Sequence, residues 1–215
     1  PGDTVVAVVR KGCENAVENN PFVDEIIVWD KHGRDTGVGG MFRMAGRLKV
    51  LGVHTAVVPH RSFRTALMLL FADIKKRIGF AKGGGTFFHS VAVPYPTGIH
   101  EVERNLMLAE AAGWRSEGFV PALYPDDRDG TVVNDILAGA GTFCVMAPGS
   151  VWATKMWPAE YYIDAGNAFA EKGVTVILSG GMDDEPLCRF IADAVPGAVS
   201  VCGLLTLRQS AELYR

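Results

Sequence analysis

Cysteine is scarce and scattered. Four cysteines stand in 215 residues, at Cys13, Cys144, Cys188 and Cys202, and no two form a C-x-x-C pair. That spacing argues against a zinc site and a disulfide framework, and fits a reducing compartment. Long apolar runs are missing too. The most apolar stretch, Ala66 to Ala72 (ALMLLFA), has Arg64 before it and Asp73, Lys75 and Lys76 after it. A bilayer span needs about 20 apolar residues, so a buried helix is expected here. No signal peptide is visible, although the chain opens on Pro1 and not on Met. Charge of one sign is lacking, since the formal net charge is −3, and nothing in that balance points to nucleic acid. Phosphate loops of the G-K-[ST] kind are absent, and Gly83-Gly84-Gly85 is no dinucleotide fingerprint. There is no solenoid repeat and no low-complexity tract. What remains is ordinary globular composition, 48% hydrophobic and 21% charged.

Short β-branched runs alternate with helical patterns. Strands are expected at 4–9, 25–29, 56–58, 77–80, 143–147, 174–178 and 199–202. Helices are expected at 14–20, 41–51, 62–72, 100–112, 131–138, 158–172 and 185–195. Gly52, Gly113 and Gly173 supply stops, and Pro158 a first-turn proline. Thr206 and Gln209 form a capping box for one more helix. The alternation predicts an α/β fold with parallel sheets covered on both faces. Residues 114–130, with two prolines, two glycines and Asp126, Asp127 and Asp129, read as a linker between two lobes. The expected division is 1–125 and 126–215. Both lobes read as incomplete, because the first opens directly on a strand and the last helix runs barely two turns before Arg215.

The strongest chemical signal is Ala147-Pro148-Gly149-Ser150 followed by Val151-Trp152-Ala153-Thr154-Lys155-Met156-Trp157-Pro158. It lies between a buried strand and a helix, at the carboxyl end of a parallel strand, where open α/β sheets bind ligands. Gly149 allows close backbone approach, Ser150 and Thr154 offer hydroxyls, and Lys155 places an ammonium just before a helix N-terminus. Free N–H groups, the helix dipole and one cation together favour a phosphate.

The string PGS-x-W-x-T-K-x-W-P resembles the motif that opens the C-terminal lobe in glycosyltransferase family 9, the ADP-heptose:lipopolysaccharide heptosyltransferases. Further segments resemble the family in order: Asn20-Pro21-Phe22-Val23-Asp24-Glu25, His60-Arg61-Ser62-Phe63-Arg64-Thr65-Ala66 with Arg77-Ile78-Gly79-Phe80, His100-Glu101-Val102-Glu103-Arg104, Gly180-Gly181-Met182-Asp183-Asp184 and Gly203-Leu204-Leu205-Thr206-Leu207. The resemblance implies a GT-B fold of two Rossmann-like parallel-sheet lobes, an N-terminal acceptor lobe and a C-terminal nucleotide-sugar lobe with the cleft between them. It implies an inverting transfer of heptose from ADP-heptose to the lipopolysaccharide inner core, with no metal and no cofactor. Ser150, Thr154, Lys155, Asp184 and Leu205 are then expected at the donor, with Leu205 lining the base pocket. His60, Arg61, Arg64 and His100 are expected at an anionic glycolipid acceptor. The implied localisation is cytoplasmic, with peripheral contact at the inner membrane.

Two family features have no counterpart. The first strand with its catalytic aspartate is expected before Pro1, and the D-x-G-x-x-H loop beyond Arg215, so the chain reads as a fragment that does not turn over. Gly2-Asp3 sits at the start of the second strand by the pattern that follows it, so Asp3 is not assigned as the base and the catalytic residue stays unknown. Asp183-Asp184 reads as acidic residues at a helix start in preference to a metal site. Two rivals stay open: a same-family transferase with another nucleotide-sugar or acceptor, and a non-catalytic nucleotide-binding module.

Overall fold

The structure, a computed structural model, describes residues 2–115 and 120–215. It divides into two compact units. One comprises Val6–Glu14 and Glu25–Ala122, the other Pro1–Val5, Asn15–Asp24 and Leu123–Arg215. The segment Asn15–Asp24 therefore groups with the C-terminal unit although it lies early in the chain.

In the N-terminal unit β1 (Val6–Arg10) pairs in parallel with β2 (Glu25–Trp29), joined in register from Val6↔Glu25 to Arg10↔Trp29. A second parallel sheet orders β3 (Thr55–Val58), β4 (Lys76–Phe80) and β5 (Val91–Val93). Three helices cover these strands: α1 (Gly37–Val50), α2 (Phe63–Phe71) and α3 (Glu101–Ala112). Alternation along β3 explains the layering. Ala56 and Val58 join the core formed by Ile27, Trp29, Met41, Met44, Leu48, Met68 and Leu69, while Val57 packs with Ile78, Phe80, Val93 and Leu108 on the other side. On α1 the buried residues Met41, Met44, Ala45 and Leu48 follow helical spacing, which fixes the face it presents to the strands.

The C-terminal unit repeats the plan with β6 (Phe143–Met146), β7 (Thr175–Leu178) and β8 (Val199–Ser200), all parallel, and with α4 (Asp127–Leu137), α5 (Ala159–Ala170), α6 (Glu185–Ala194) and α7 (Leu207–Leu213). Successive residues of the buried strand β7 point to opposite layers. Val176 and Leu178 pack with Cys188, Ile191 and Val195, whereas Ile177 packs with Val133, Val201 and Leu213. No helix among the described residues is long and apolar enough to cross a membrane.

The structure departs from the sequence expectations in four places. Cys188 and Cys202 form a disulfide, with Cα atoms 6.5 Å apart, where widely spaced cysteines argued for none. Their separation in sequence concealed that α6 and the end of β8 are neighbours. Helix α1 begins at Gly37, four residues before the expected Met41, because burial of Gly40 and Met41 favours a helical start despite three glycines. The expected helix at 14–20 shrinks to one 3-10 turn at Glu14–Ala16. The linker reading over 114–130 lies partly outside the described residues, at 116–119, and its last part is helical. Asp126 caps α4 by accepting from Arg128 and Asp129 N–H groups, and Asp129 returns the contact.

Candidate functional site

The C-terminal unit builds one candidate site from strand ends. After Met146 closes β6, Pro148 is fully buried and anchors the turn that follows. Gly149 is required there. A β-carbon at this position would collide with the carboxylate of Asp184, which closes the 3-10 turn (Met182–Asp184) between β7 and α6. The structure thus brings Gly149-Ser150 and Asp184 together. Asp184 is held in place, because its Oδ2 accepts the N–H of Gly181 at 2.8 Å. Ser150 Oγ accepts the N–H of Trp152 at 3.2 Å, which leaves its hydroxyl proton free to donate.

Beyond Ser150 the chain makes a 3-10 turn, Ala153–Lys155, and enters α5 through Pro158. Proline brings no side-chain cap, so the first N–H groups of α5 have no side-chain acceptor. Thr154 and Lys155 lie exposed in the turn ahead of them. Trp157 is braced by Tyr161 and Tyr162, with ring centroids 5.3 and 5.2 Å away. Leu205 is partly buried and packs against the Val133, Ile177, Val201 and Leu213 core. Its neighbour Leu204 is 71% exposed, and Met182 beside Gly203 is 70% exposed. Leu204 and Met182 thus add exposed apolar surface to that of the partly buried Leu205. The disulfide lies next to this region, with Cys202 Sγ 3.2 Å from where a β-carbon of Gly180 would stand.

The N-terminal unit carries a second candidate site on the carboxyl ends of its strands. Arg10 ends β1, Lys31 follows β2, His60 and Arg61 follow β3, and Lys82 follows β4. Two aromatic rings organise these cations. The Lys31 ammonium lies 4.1 Å from the Trp29 ring centroid, and the Arg64 guanidinium 5.5 Å. Tyr95 gathers Arg104, Arg61 and Lys82 at 4.3, 4.5 and 5.1 Å. The glycine loop after β4 closes tightly on α2, since a β-carbon on Gly85 would stand 2.8 Å from that of Ala66. Beside the rim is a cavity of about 350 Å³ lined by Arg10, Lys11, Trp29, Asp30, Lys31, His32 and Gly33.

Not all of the rim's charge is available. Arg64 donates to the carbonyls of Asp35 and Gly37 at 3.0 and 2.6 Å, so much of its guanidinium holds the loop before α1. Arg104 is buried and donates to Pro96 and Ile99 carbonyls, Tyr95 hydroxyl and Glu101. His100 caps α3, its Nδ1 accepting the Val102 N–H at 3.3 Å. Asp30 pairs with Lys11 at 3.1 Å, and that hydrogen bond holds its carboxyl below the usual range. Arg10, Lys31, Arg61 and Lys82 meet no carboxylate among the described residues. Burial lowers the Lys31 proton affinity, with Arg64 and Arg10 adding repulsion. His60 is lowered likewise, by burial and then by Lys31, Arg10 and Arg61. The expected acceptor residues thus separate into His60 and Arg61 on the open rim, and Arg64 and His100 in supporting contacts. Sequence reasoning missed Arg10, Trp29, Lys31, Lys82 and Tyr95, although each ends or follows a strand, and that position was the available signal.

The sequence profile of glycosyltransferase family 9 (heptosyltransferase) matches residues 41–215. Among solved structures, the glycosyl transferase family 9 protein from Veillonella parvula DSM 2008 superposes with a TM-score of 0.85 at 17% identity, over 98% of this chain and 64% of that one. The E. coli ADP-heptose lps heptosyltransferase II gives 0.84 at 20% identity, over 99% of this chain and 67% of that one. E. coli heptosyltransferase WaaC with ADP gives 0.65 at 15% identity, over 99% and 68%. The chain thus spans about two thirds of the length of these structures, and the fold is of the GT-B class. None of the curated protein sequences matches it.

Proposed function

Because the chain belongs to glycosyltransferase family 9, we propose that the whole protein moves a heptose from ADP-heptose to the anionic inner core of a lipopolysaccharide, by an inverting reaction that needs no metal. The observation that carries this reading is the junction of β6 and α5. There Gly149 meets Asp184, Ser150 follows it, and helix N–H groups with no side-chain cap follow one exposed ammonium. Free helix N–H groups beside an ammonium favour an anion such as a diphosphate.

In this reading the C-terminal unit holds the donor. Lys155 and the first N–H groups of α5 neutralise the diphosphate as the bond from the anomeric carbon to the phosphate oxygen breaks. Ser150 and Thr154 donate hydroxyls to phosphate oxygens, and Asp184 accepts from the ribose. Leu204 and Met182 offer an apolar platform to the base, with Leu205 behind them. The acceptor hydroxyl forms the new bond on the opposite face and so inverts the anomeric carbon. Its proton goes to a general base, a role given to no residue of this chain. The N-terminal rim receives the acceptor's negative charge through Arg10, Lys31, His60, Arg61 and Lys82. An acceptor resident in a lipid leaflet places the protein on the cytoplasmic face of the inner membrane, held by basic residues.

Calorimetry with ADP tests the donor site. Lys155→Ala should weaken ADP binding about tenfold, or about 1.4 kcal/mol, with thermal unfolding unchanged because the side chain is exposed. An affinity equal to that of the unsubstituted chain removes Lys155 from the site. ADP bound no better than UDP or GDP would point to a different donor within the family.

A further inference from the structure

His60 stands exposed after β3 with positive charge around it. Arg10 faces it from the end of β1, Lys31 from the segment after β2, and Arg61 from its own loop. Farther round the same rim are Arg64 on α2, stacked on Trp29, and Lys82 after β4, stacked on Tyr95. His32 lines the adjoining cavity. The carboxylates nearby are already engaged: Asp30 by Lys11, and buried Asp35 by Arg34 and Arg43. Partial burial first, and then the neighbouring cations Lys31, Arg10 and Arg61, therefore favour the neutral imidazole.

A bound anion reverses that field, and its charge decides how far. A monoanion leaves two of the three facing cations uncompensated, so the ring stays neutral. An anion with four or more charges cancels Arg10, Lys31 and Arg61 and leaves negative charge to hold an imidazolium. Linkage then requires that a ligand preferring the protonated ring bind more tightly where the ring is protonated. We propose that His60 is a specificity-determining residue, coupling capture of a multiply charged anion at this rim to the uptake of one proton. The site consequently favours polyanionic over singly charged acceptors, and does so more strongly as pH falls. This rests on the reading of the rim as an acceptor site.

The test uses the full chain and sucrose octasulfate, a saccharide whose sulfates stay ionised throughout the range, so that any proton taken up belongs to the protein. Calorimetry in two buffers of different ionisation enthalpy should report uptake approaching one proton per site. Affinity should rise about tenfold between about pH 8 and about pH 6. The His60 imidazole resonance, assigned by its loss in His60→Gln, should titrate at higher pH when the probe is present. His60→Gln should bind with neither uptake nor pH dependence, and His32→Gln should keep both. Arg10→Gln/Lys31→Gln should bind weakly at every pH. Binding without proton uptake, or uptake that survives in His60→Gln, overturns the role of His60 and leaves the anion site standing. No binding by the unsubstituted chain removes the acceptor reading and the inference together.

Discussion

Gly149 is a position where one added methyl group would be felt twice. The carboxylate of Asp184 occupies the space a β-carbon needs, so Gly149→Ala must push that carboxylate off its bond to the Gly181 N–H or shift the turn after β6. Overpacking of this kind costs roughly 1–3 kcal/mol. The expected result is a lower melting temperature together with at least tenfold weaker ADP binding, read by calorimetry on the folded variant. Retained ADP affinity would mean that the two loops act independently. The residues of this junction were legible in sequence, because Pro148, Gly149, Ser150 and Lys155 form one contiguous string at a strand-to-helix step. Two adjacent leucines offer no periodicity to say which one faces inward; the structure buries Leu205 partly and exposes Leu204. Arg64 and His100 carried the right chemistry for an anion, but their local contacts to backbone groups are invisible to spacing.

Among the elements, α7 depends on a single arginine. Arg208 approaches Asp129 at 3.1 Å, Glu18 at 3.6 Å and Asp126 at 3.8 Å, and its backbone N–H donates to Asn15 Oδ1 at 2.8 Å. Asn19 adds bonds to the Tyr124 carbonyl and to Asp126. These contacts fasten the early segment Asn15–Asp24 to α4 and α7 within the C-terminal unit. Asp129 is 4% exposed in its side chain, so removing Arg208 leaves a buried charge with the Asp126 N–H but without its cation. Arg208→Ala should therefore cost about 3 kcal/mol, seen as a lower urea midpoint. A loss below about 0.5 kcal/mol would rank the cluster with ordinary surface pairs. Most elements were legible because apolar periodicity marks buried faces, as along α1 and β7. The start of α4 was not, because its capping residues Asp126 and Asp129 look like any acidic linker until the helix beyond them is seen. Nor could periodicity place residues 15–24, whose partners are about a hundred or more positions away.

For the molecule as a whole, charge is segregated: the net value is −3, yet the N-terminal rim is cationic. Two histidines give folding a definite pH response. His89 packs its imidazole against the α-carbon of Gly79, and its Nδ1 is buried without a partner. Burial, and then Arg77, lower its proton affinity in the folded state, and His60 is lowered in the same sense. The unfolded chain therefore binds these protons more readily than the folded one. Their contribution is complete above the ordinary histidine value of 6.5 and is lost as pH falls below it. Urea midpoints should drop between about pH 7.5 and about pH 5.5, and His89→Gln should flatten that acid limb. A drop of equal size in the variant would place its origin elsewhere.

With Cys188 and Cys202 joined to each other, only two thiols remain, and they are unequal. Cys144 is half-buried, and burial pushes its thiol toward the unreactive protonated form. Cys13 is exposed, and its backbone N–H bonds to the Arg10 carbonyl at 2.9 Å. A maleimide fluorophore will therefore settle on Cys13 in the native chain, and the fold supplies its own attachment point for an optical sensor three residues from the arginine it would watch.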